Sequence, residues 1–237
     1  MNREETGKRP GRLMGLLRRY FQLAVQIAIG VFFVLTFVVQ AYHIPSGSME
    51  PTLLVGDFLL VNRLIYAGSR SGLDRALLPC RAAKRGDIVV FKDPAESGED
   101  FVKRVIGLPG DRLEIVDKQV YINDIPLDEP YKFHADSFIF TAATPVSPSV
   151  IKRDNFGPLT MPPECVFAMG DNRDDSDDSR FRGPLSIRNL KGRPWLIYFS
   201  FEVARSASQK AKATGRLRNT NTFIPKFRPE RIFRIVR

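Results

Sequence analysis

The chain has 237 residues, 43% of them hydrophobic, and a formal net charge of +10, which is enough for one packed core with appendages. The charge is uneven: residues 1–20 carry +4, residues 201–237 carry +8 and the middle carries −2. With the basic excess confined to the two ends, the pattern argues against nucleic acid as a partner.

Residues 1–20 form a basic tail containing Lys8, Arg9, Arg12, Arg18 and Arg19. From Phe21 to Ala41 the chain reads FQLAVQIAIGVFFVLTFVVQA, uncharged, with only Gln22, Gln26, Thr36 and Gln40 polar. A helix over 21–42 spans roughly 30 Å, the thickness of a hydrocarbon core. A cleaved signal peptide normally has an apolar region of about 7–15 residues, although a small-x-small triplet does occur at Ser46-Gly47-Ser48. A buried soluble helix is rarely apolar on every face. A retained single-pass anchor is the expectation, since no second uncharged run of this length follows. The loop after it carries no Lys or Arg up to Asn62. The positive-inside rule then puts the N-terminus in the cytoplasm and everything beyond Tyr42 on the extracytoplasmic face of the membrane.

Ile44–Leu53 reads IPSGSMEPTL, too punctuated to continue a helix. The pattern then changes to short β-rich runs: FLLVNRLIY (58–66), DIVVFK (87–92), DFVKRVIGL (100–108), RLEIV (112–116), QVYIN (119–123), CVFAMG (165–170) and PWLIYFSF (194–201). Pro109-Gly110 suits a type II turn, and Asp117-Lys118 reads as a hairpin turn. The fold class is therefore mainly β: an N-terminal transmembrane helix followed by an antiparallel β domain over 43–202. The irregular stretch 131–163 is expected to belong to an insertion covering about 121–163. Residues 203–237 form a basic C-terminal tail whose part 203–222 is expected to be mobile. Its last stretch, FIPKFRPERIFRIVR, either touches anionic lipid or packs on the core.

A serine needs a base to become a nucleophile. His43 and His134 lack a triad-like context, and no G-x-S-x-G elbow occurs. A lysine can serve if burial keeps it neutral. In DFVKRVIGLPGD, strand alternation puts Phe101, Lys103 and Val105 on one face and turns Arg104 to the other. Lys103 is thus a candidate base and Ser48 its candidate nucleophile; a lysine stretching to solvent from an edge strand is the competing reading. GDNRDDSDDSR (170–180) has five Asp but fails the EF-hand pattern at its third, sixth and twelfth positions. It reads either as a solvated acidic loop or as a frame in which Asp178 pairs with Arg180 and Ser176 orients an amine. Cys80 and Cys165 fit no zinc pattern, and both a disulfide and two unpaired thiols remain open.

SGSMEPTL, GDFLLVNR, RGDIVVFK, FVKRVIGLPGD and GDNRDDSDDSR, in this order after a membrane span, resemble the motif boxes of bacterial type I signal peptidase. The resemblance covers roughly 44–185 apart from the insertion. It implies a mainly β catalytic domain with a second β-rich insertion, and a serine endopeptidase that needs no metal or cofactor. It assigns Ser48 as nucleophile and Lys103 as general base. Ser46 becomes the side-chain donor of the oxyanion hole, completed by the Ser48 N–H. Ser176 orients the lysine, with Asp178 and Arg180 as a supporting ion pair. Ile44, Pro45, Met49, Phe101 and Val102 match positions lining shallow pockets for small side chains. The implied partners are secreted preproteins cut at small-x-small sites, together with membrane lipids, with no nucleic acid. This chain departs from the pattern in its single expected span, its long basic 67–84 connector and its basic tail. A self-cleaving protease of the LexA repressor type shares the dyad logic but predicts a DNA-binding domain where the anchor lies. A membrane-tethered binding module explains the charge but leaves Ser48 and Lys103 without a role.

Overall fold

A computed structural model describes residues 11–69, 80–92, 99–202 and 226–236. The stretch expected to be mobile, 203–222, lies outside these residues, as do the first ten residues and 70–79 of the connector. The chain divides into two compact units, 1–39 and 40–237.

In the first unit, helix α1 runs Gly11–Phe33 and continues as a single π-helical stretch, Val34–Val38. Its segment Met14–Phe33, 20 residues with mean hydropathy 1.3 and none of it packed inside the protein, is long and apolar enough to cross a membrane by length and composition. The helix begins ten residues before the expected boundary, because the leucines and arginines ahead of Phe21 are good helix formers. It also stops short of Tyr42. Val39–His43 is strand β1, where β-branched Val39 favours extended backbone and β2 supplies a ladder.

The remaining strands are β2 (Asp57–Asn62), β3 (Ile88–Lys92), β4 (Asp100–Gly107), β5 (Arg112–Val116), β6 (Gln119–Ile122), β7 (Ile125–Pro126), β8 (Phe156–Thr160), β9 (Cys165–Met169), β10 (Leu185–Ser186), β11 (Leu190–Glu202), β12 (Lys226–Phe227) and β13 (Arg234–Ile235). Among the described residues the main sheet has the order β1-β2-β11-β3-β4-β9-β10, with β12 and β13 also on β11; the second has the order β7-β6-β5-β8. The neighbours β3, β4 and β9 pair antiparallel, as do β5, β6 and β8. The mainly β, antiparallel expectation holds. The run 58–66 is shorter than expected as a strand: Asn62 Oδ1 accepts the Leu64 N–H at 2.9 Å, and this side-chain turn diverts the chain into a 3-10 helix, Leu64–Ser69.

Local turn chemistry sets the registers. Asp117 and Lys118 have φ of 50° and 68°, the pair of positive values that closes a two-residue hairpin with the right twist. Gly110 has φ of +84°, and the Asp111 N–H donates to Leu108 O at 3.0 Å, which makes the type II turn. The second sheet starts at Arg112; residues 121–163 add β7, β8 and the one-turn helix α2 (Pro148–Ile151).

Among the described residues, three buried apolar clusters hold the β unit. One joins Ile44, Met49 and Leu53 to Leu59, Ile88 and Ile197. A second lies around Val89, Val105 and Ala168. The third joins the second sheet to β9 through Leu113, Val120 and Phe167. The C-terminal stretch 226–236 packs on the core. Val236 enters the first cluster, and the buried Arg231 guanidinium donates to Asp57 Oδ2 at 2.5 Å and to Thr52 O at 3.0 Å.

Candidate active site

Ser48 sits in a one-turn 3-10 helix, Gly47–Met49, which Pro51 cannot extend because it lacks an N–H. The turn is fastened to the first cluster by Ile44 and Met49, which are 3% and 1% exposed. Main-chain bonds support it: the Ile44 N–H donates to Asp57 O at 2.9 Å and the Gly56 N–H to Ile44 O at 3.0 Å. Ser46 caps the turn by its backbone only, and its side chain makes no capping bond.

Lys103 is delivered by β4. Val89, fully buried, stands opposite it on β3, and Phe101 and Val105 join Val89 in one cluster, as strand alternation requires. Lys103 is only 3% exposed. Its Nζ lies 2.6 Å from Ser48 Oγ, donating to it when protonated. Burial pulls the Lys103 pKa down from 10.5 to about 8, against the opposing pull of Asp178 and Asp177. A base that exchanges its proton near neutral pH in contact with a serine hydroxyl is a nucleophile-activating arrangement. The histidines stand elsewhere: exposed His43 lies 4.9 Å from the Phe58 ring, and His134 pairs with Asp174 at 3.3 Å.

The acidic loop is a frame. Asp178 caps the short helix α3 (Ser179–Arg182), takes Arg180 Nε and Nη2 at 2.9 and 2.8 Å, and accepts the Gly170 N–H at 3.1 Å. Burial pushes the Asp178 carboxyl up, but Arg180, the Gly170 N–H and the adjacent Ser176 hydroxyl outweigh it and hold the group below the ordinary carboxylate range. Ser176 lies near enough to act on Asp178, yet among the described residues its buried Oγ meets no partner at hydrogen-bonding geometry, Lys103 included. Four of the five aspartates face cations: Asp171 faces Arg104, Asp174 faces Lys118, Asp177 faces Arg182 and Asp178 faces Arg180. Among the described residues, no three His, Cys, Asp or Glu form a group suited to a metal ion. Cys80 and Cys165 are unpaired.

Several residues at this site escaped the sequence reading. Asp171 accepts two bonds from Arg104 at 2.8 and 2.7 Å and one from Thr52 Oγ1 at 2.5 Å. Arg104 thus turns away from Lys103 as expected but ends in a buried pair rather than water. Arg173 pairs with Glu129 of the insertion, and both are buried. The Asn172 N–H donates to Ser48 O at 3.1 Å, and its Nδ2 donates to Gly47 O at 3.2 Å. Gly170 lets these backbones meet: a Cβ there would collide with Ser48 O and with Ser176. A glycine ending an apolar strand was the available signal for such a close approach.

Of the expected pocket residues, Ile44 and Met49 are core residues, Pro45 is exposed, and Phe101 and Val102 are half-buried. Phe101 stacks on Phe91 at 6.1 Å and carries the Arg182 guanidinium over its ring at 5.1 Å.

A family model described as "Signal peptidase, peptidase S26" matches residues 17–199. The chain belongs to this peptidase family. It is similar to signal peptidase I of Aquifex aeolicus, 30% identical over 251 residues, covering 87% of this chain and 93% of that protein. Signal peptidase I of Pseudomonas aeruginosa is 33% identical over 189 residues, covering 70% of this chain and 66% of the relative, just under two thirds of its length. A probable signal peptidase I-2 of Synechocystis is 35% identical over 181 residues, covering 74% of this chain and 69% of the relative. Among solved structures, signal peptidase I of Enterococcus faecalis matches with a TM-score of 0.37 and 33% identity, covering 48% of this chain and 97% of that one.

Proposed function

We propose that this S26 peptidase is a membrane-anchored serine endopeptidase that removes signal peptides from exported preproteins at small-x-small sites, using a Ser48/Lys103 dyad. The observation that carries the reading is the 2.6 Å contact between Lys103 Nζ and Ser48 Oγ. In the neutral lysine the same contact runs the other way, with the serine hydroxyl donating. Lys103 takes that proton as Oγ attacks the scissile carbonyl, and returns it to the leaving amine. A water deprotonated by the same lysine then releases the acyl-enzyme. Ser46, whose hydroxyl is not spent on capping, and the Ser48 N–H stabilise the oxyanion, worth roughly 3–4 kcal/mol per donor. Asp178, Arg180 and Ser176 hold the lysine's surroundings. Pro45, Phe101 and Val102 offer the apolar bed for small substrate side chains, with Ile44 and Met49 in the buried cluster on which Val102 packs. No metal or cofactor enters these steps.

Met14–Phe33 is the single-pass anchor. The basic residues from Lys8 to Arg19, ahead of the uncharged run that starts at Phe21, favour an N-terminus in the cytoplasm and a catalytic unit on the extracytoplasmic face of the bacterial inner membrane. The substrate's own apolar segment ends near its cleavage site, and Ser48 follows the anchor closely in sequence. Contact with lipid is supported by an aromatic patch in which Phe199 stands 5.4 Å from Phe227; both are exposed, as are Trp195 and Phe233, and Lys226 and Arg234 flank them.

The test is cleavage of a detergent-solubilised preprotein with a small-x-small site, products located by mass. Wild type should cut after the small residue, and Ser48→Ala and Lys103→Met should not. Full activity in either variant would refute the dyad.

A further inference from the structure

Asn172 is 6% exposed and touches the nucleophile turn twice, through its N–H to Ser48 O at 3.1 Å and through Nδ2 to Gly47 O at 3.2 Å. These oxygens belong to the two peptide units that flank the Ser48 α-carbon. Gly47 O and the Ser48 N–H are opposite ends of one planar trans unit and point in opposite directions. Holding that oxygen therefore aims that N–H. Holding Ser48 O fixes the next plane, and with both planes fixed the φ and ψ of Ser48 are set. Gly47 O also accepts the Glu50 N–H at 3.1 Å, so both of its lone pairs are engaged.

Two features separate this contact from ordinary turn packing. A carbonyl requires a donor, so the amide must present Nδ2 to Gly47, which leaves Asn172 Oδ1 buried without a partner among the described residues. An unpaired buried acceptor is unfavourable and marks the amide as held for its donor. In addition, Asn172 is gripped on both sides. Its neighbour Asp171 is bound by Arg104 and Thr52, and its neighbour Arg173 by Glu129. Phe133 of the insertion bridges both, giving its N–H to Asp171 O at 2.8 Å and accepting from the Arg173 N–H at 2.9 Å.

We propose that Asn172 is a positioning residue that presets the oxyanion hole by fixing the two peptide planes around Ser48. This rests on the reading of Ser48 as nucleophile and of its N–H as an oxyanion donor. The insertion then has a part in catalysis, because Phe133 and Glu129 brace the residue that aims the Ser48 N–H.

The test compares wild type with Asn172→Ala, which removes Nδ2 and keeps the backbone bond, and Asn172→Asp, which keeps the shape and sets a carboxylate against Gly47 O. For each, kcat and KM are measured on a preprotein, together with inhibition by a peptide aldehyde matching the site. Ser48 Oγ adds to the aldehyde carbon as its proton passes to the neutral Lys103 Nζ, and the carbonyl π pair goes to the oxygen, which sits in the hole. The expected result for Asn172→Ala is a kcat about ten- to hundredfold lower with KM little changed, because an oxyanion donor acts in the transition state. Aldehyde inhibition should weaken by a similar factor, and Asn172→Asp should lose more. A kcat within about twofold of wild type, a rise in KM alone, or unchanged aldehyde inhibition would overturn the proposal. So would failure of both variants to fold, which would make the contact purely structural. Ser48→Ala run beside them keeps the outcomes apart: cleavage by Ser48→Ala refutes the dyad itself, whereas a dead Ser48→Ala with fully active Asn172 variants refutes only the clamp.

Discussion

Lys103→Met should destroy activity and at the same time stabilise the fold, by an amount that depends on pH. Burial lowers the lysine's pKa from 10.5 to about 8. Between those values the unfolded chain holds a proton that the folded chain has lost, so stability rises with pH across that window. Below pH 8 the folded protein bears the full penalty, which for this shift is about 3 kcal/mol at pH 7. Methionine fits the apolar surroundings of Val89, Phe101 and Val105 without charge. It forfeits the bond to Ser48, worth about 1 kcal/mol. The net gain at pH 7 is therefore about 2 kcal/mol, or ~4–8 °C in Tm for a domain of this size. Near pH 10 the wild-type penalty falls below about 1 kcal/mol and the advantage disappears. Urea unfolding of both proteins in the same detergent at pH 7 and pH 10 measures this. An equal advantage at both pH values, or a variant less stable than wild type at pH 7, would refute the account of Lys103 as a buried, largely desolvated base.

Three further outcomes follow from the same geometry. The kcat/KM of wild type should fall about tenfold per pH unit on the acid side, bending near the free-enzyme lysine pKa of about 8; a pH-rate profile with no limb between pH 7 and 9 would contradict it. Asp178→Asn leaves Arg180 buried without its carboxylate and should destabilise the fold by about 3–5 kcal/mol. Because Asp178 raises the lysine's pKa, the variant's residual activity should also show its acid limb at lower pH. Arg231→Met strands the fully buried Asp57, which among the described residues keeps only the Ser200 hydroxyl at 2.7 Å as a side-chain donor, and should cost about 3–5 kcal/mol in urea unfolding; a neutral effect would mean that the C-terminal stretch is dispensable to the core.

The parts of this fold that were legible in sequence are those governed by neighbours along the chain. The runs that became β3 to β6 and β9 show two-residue alternation or continuous apolar character, and the turns at Gly110 and Asp117 carry residue types that tolerate positive φ. Lys103 was legible as a candidate because Phe101 and Val105 share its strand face, although a lysine reaching solvent from an edge strand fitted the same pattern. Where the N-terminal helix ends was not, since no Pro or Gly marks a stop between Val31 and Ile44, and Val39–His43 becomes a strand beside β2. The clamp on Ser48 was hidden for a similar reason. Asn172 lies 124 residues from Ser48, in a loop whose composition reads as solvated acid. Nothing local says that Asp171 faces a buried Arg104, or that Arg173 reaches Glu129 in the insertion.

The loop 170–180 is built in a way that favours geometry over stability. Buried ion pairs are often no better for stability than apolar packing, because desolvation offsets the attraction. Yet this loop uses three: Asp171 with Arg104 of β4, Arg173 with Glu129 of the insertion, and Asp178 with Arg180 of its own helix. Each pair has a defined direction and length, which an apolar contact lacks. Together they fix the loop from three sides, and the loop in turn presents Asn172 to the serine and Asp178 to the surroundings of the lysine. The two groups of the proposed dyad come from elements far apart in sequence and are soft by themselves, one on a single 3-10 turn and the other on a long flexible side chain of β4. A frame that meets both is what allows a serine with no histidine beside it to rest against a buried lysine.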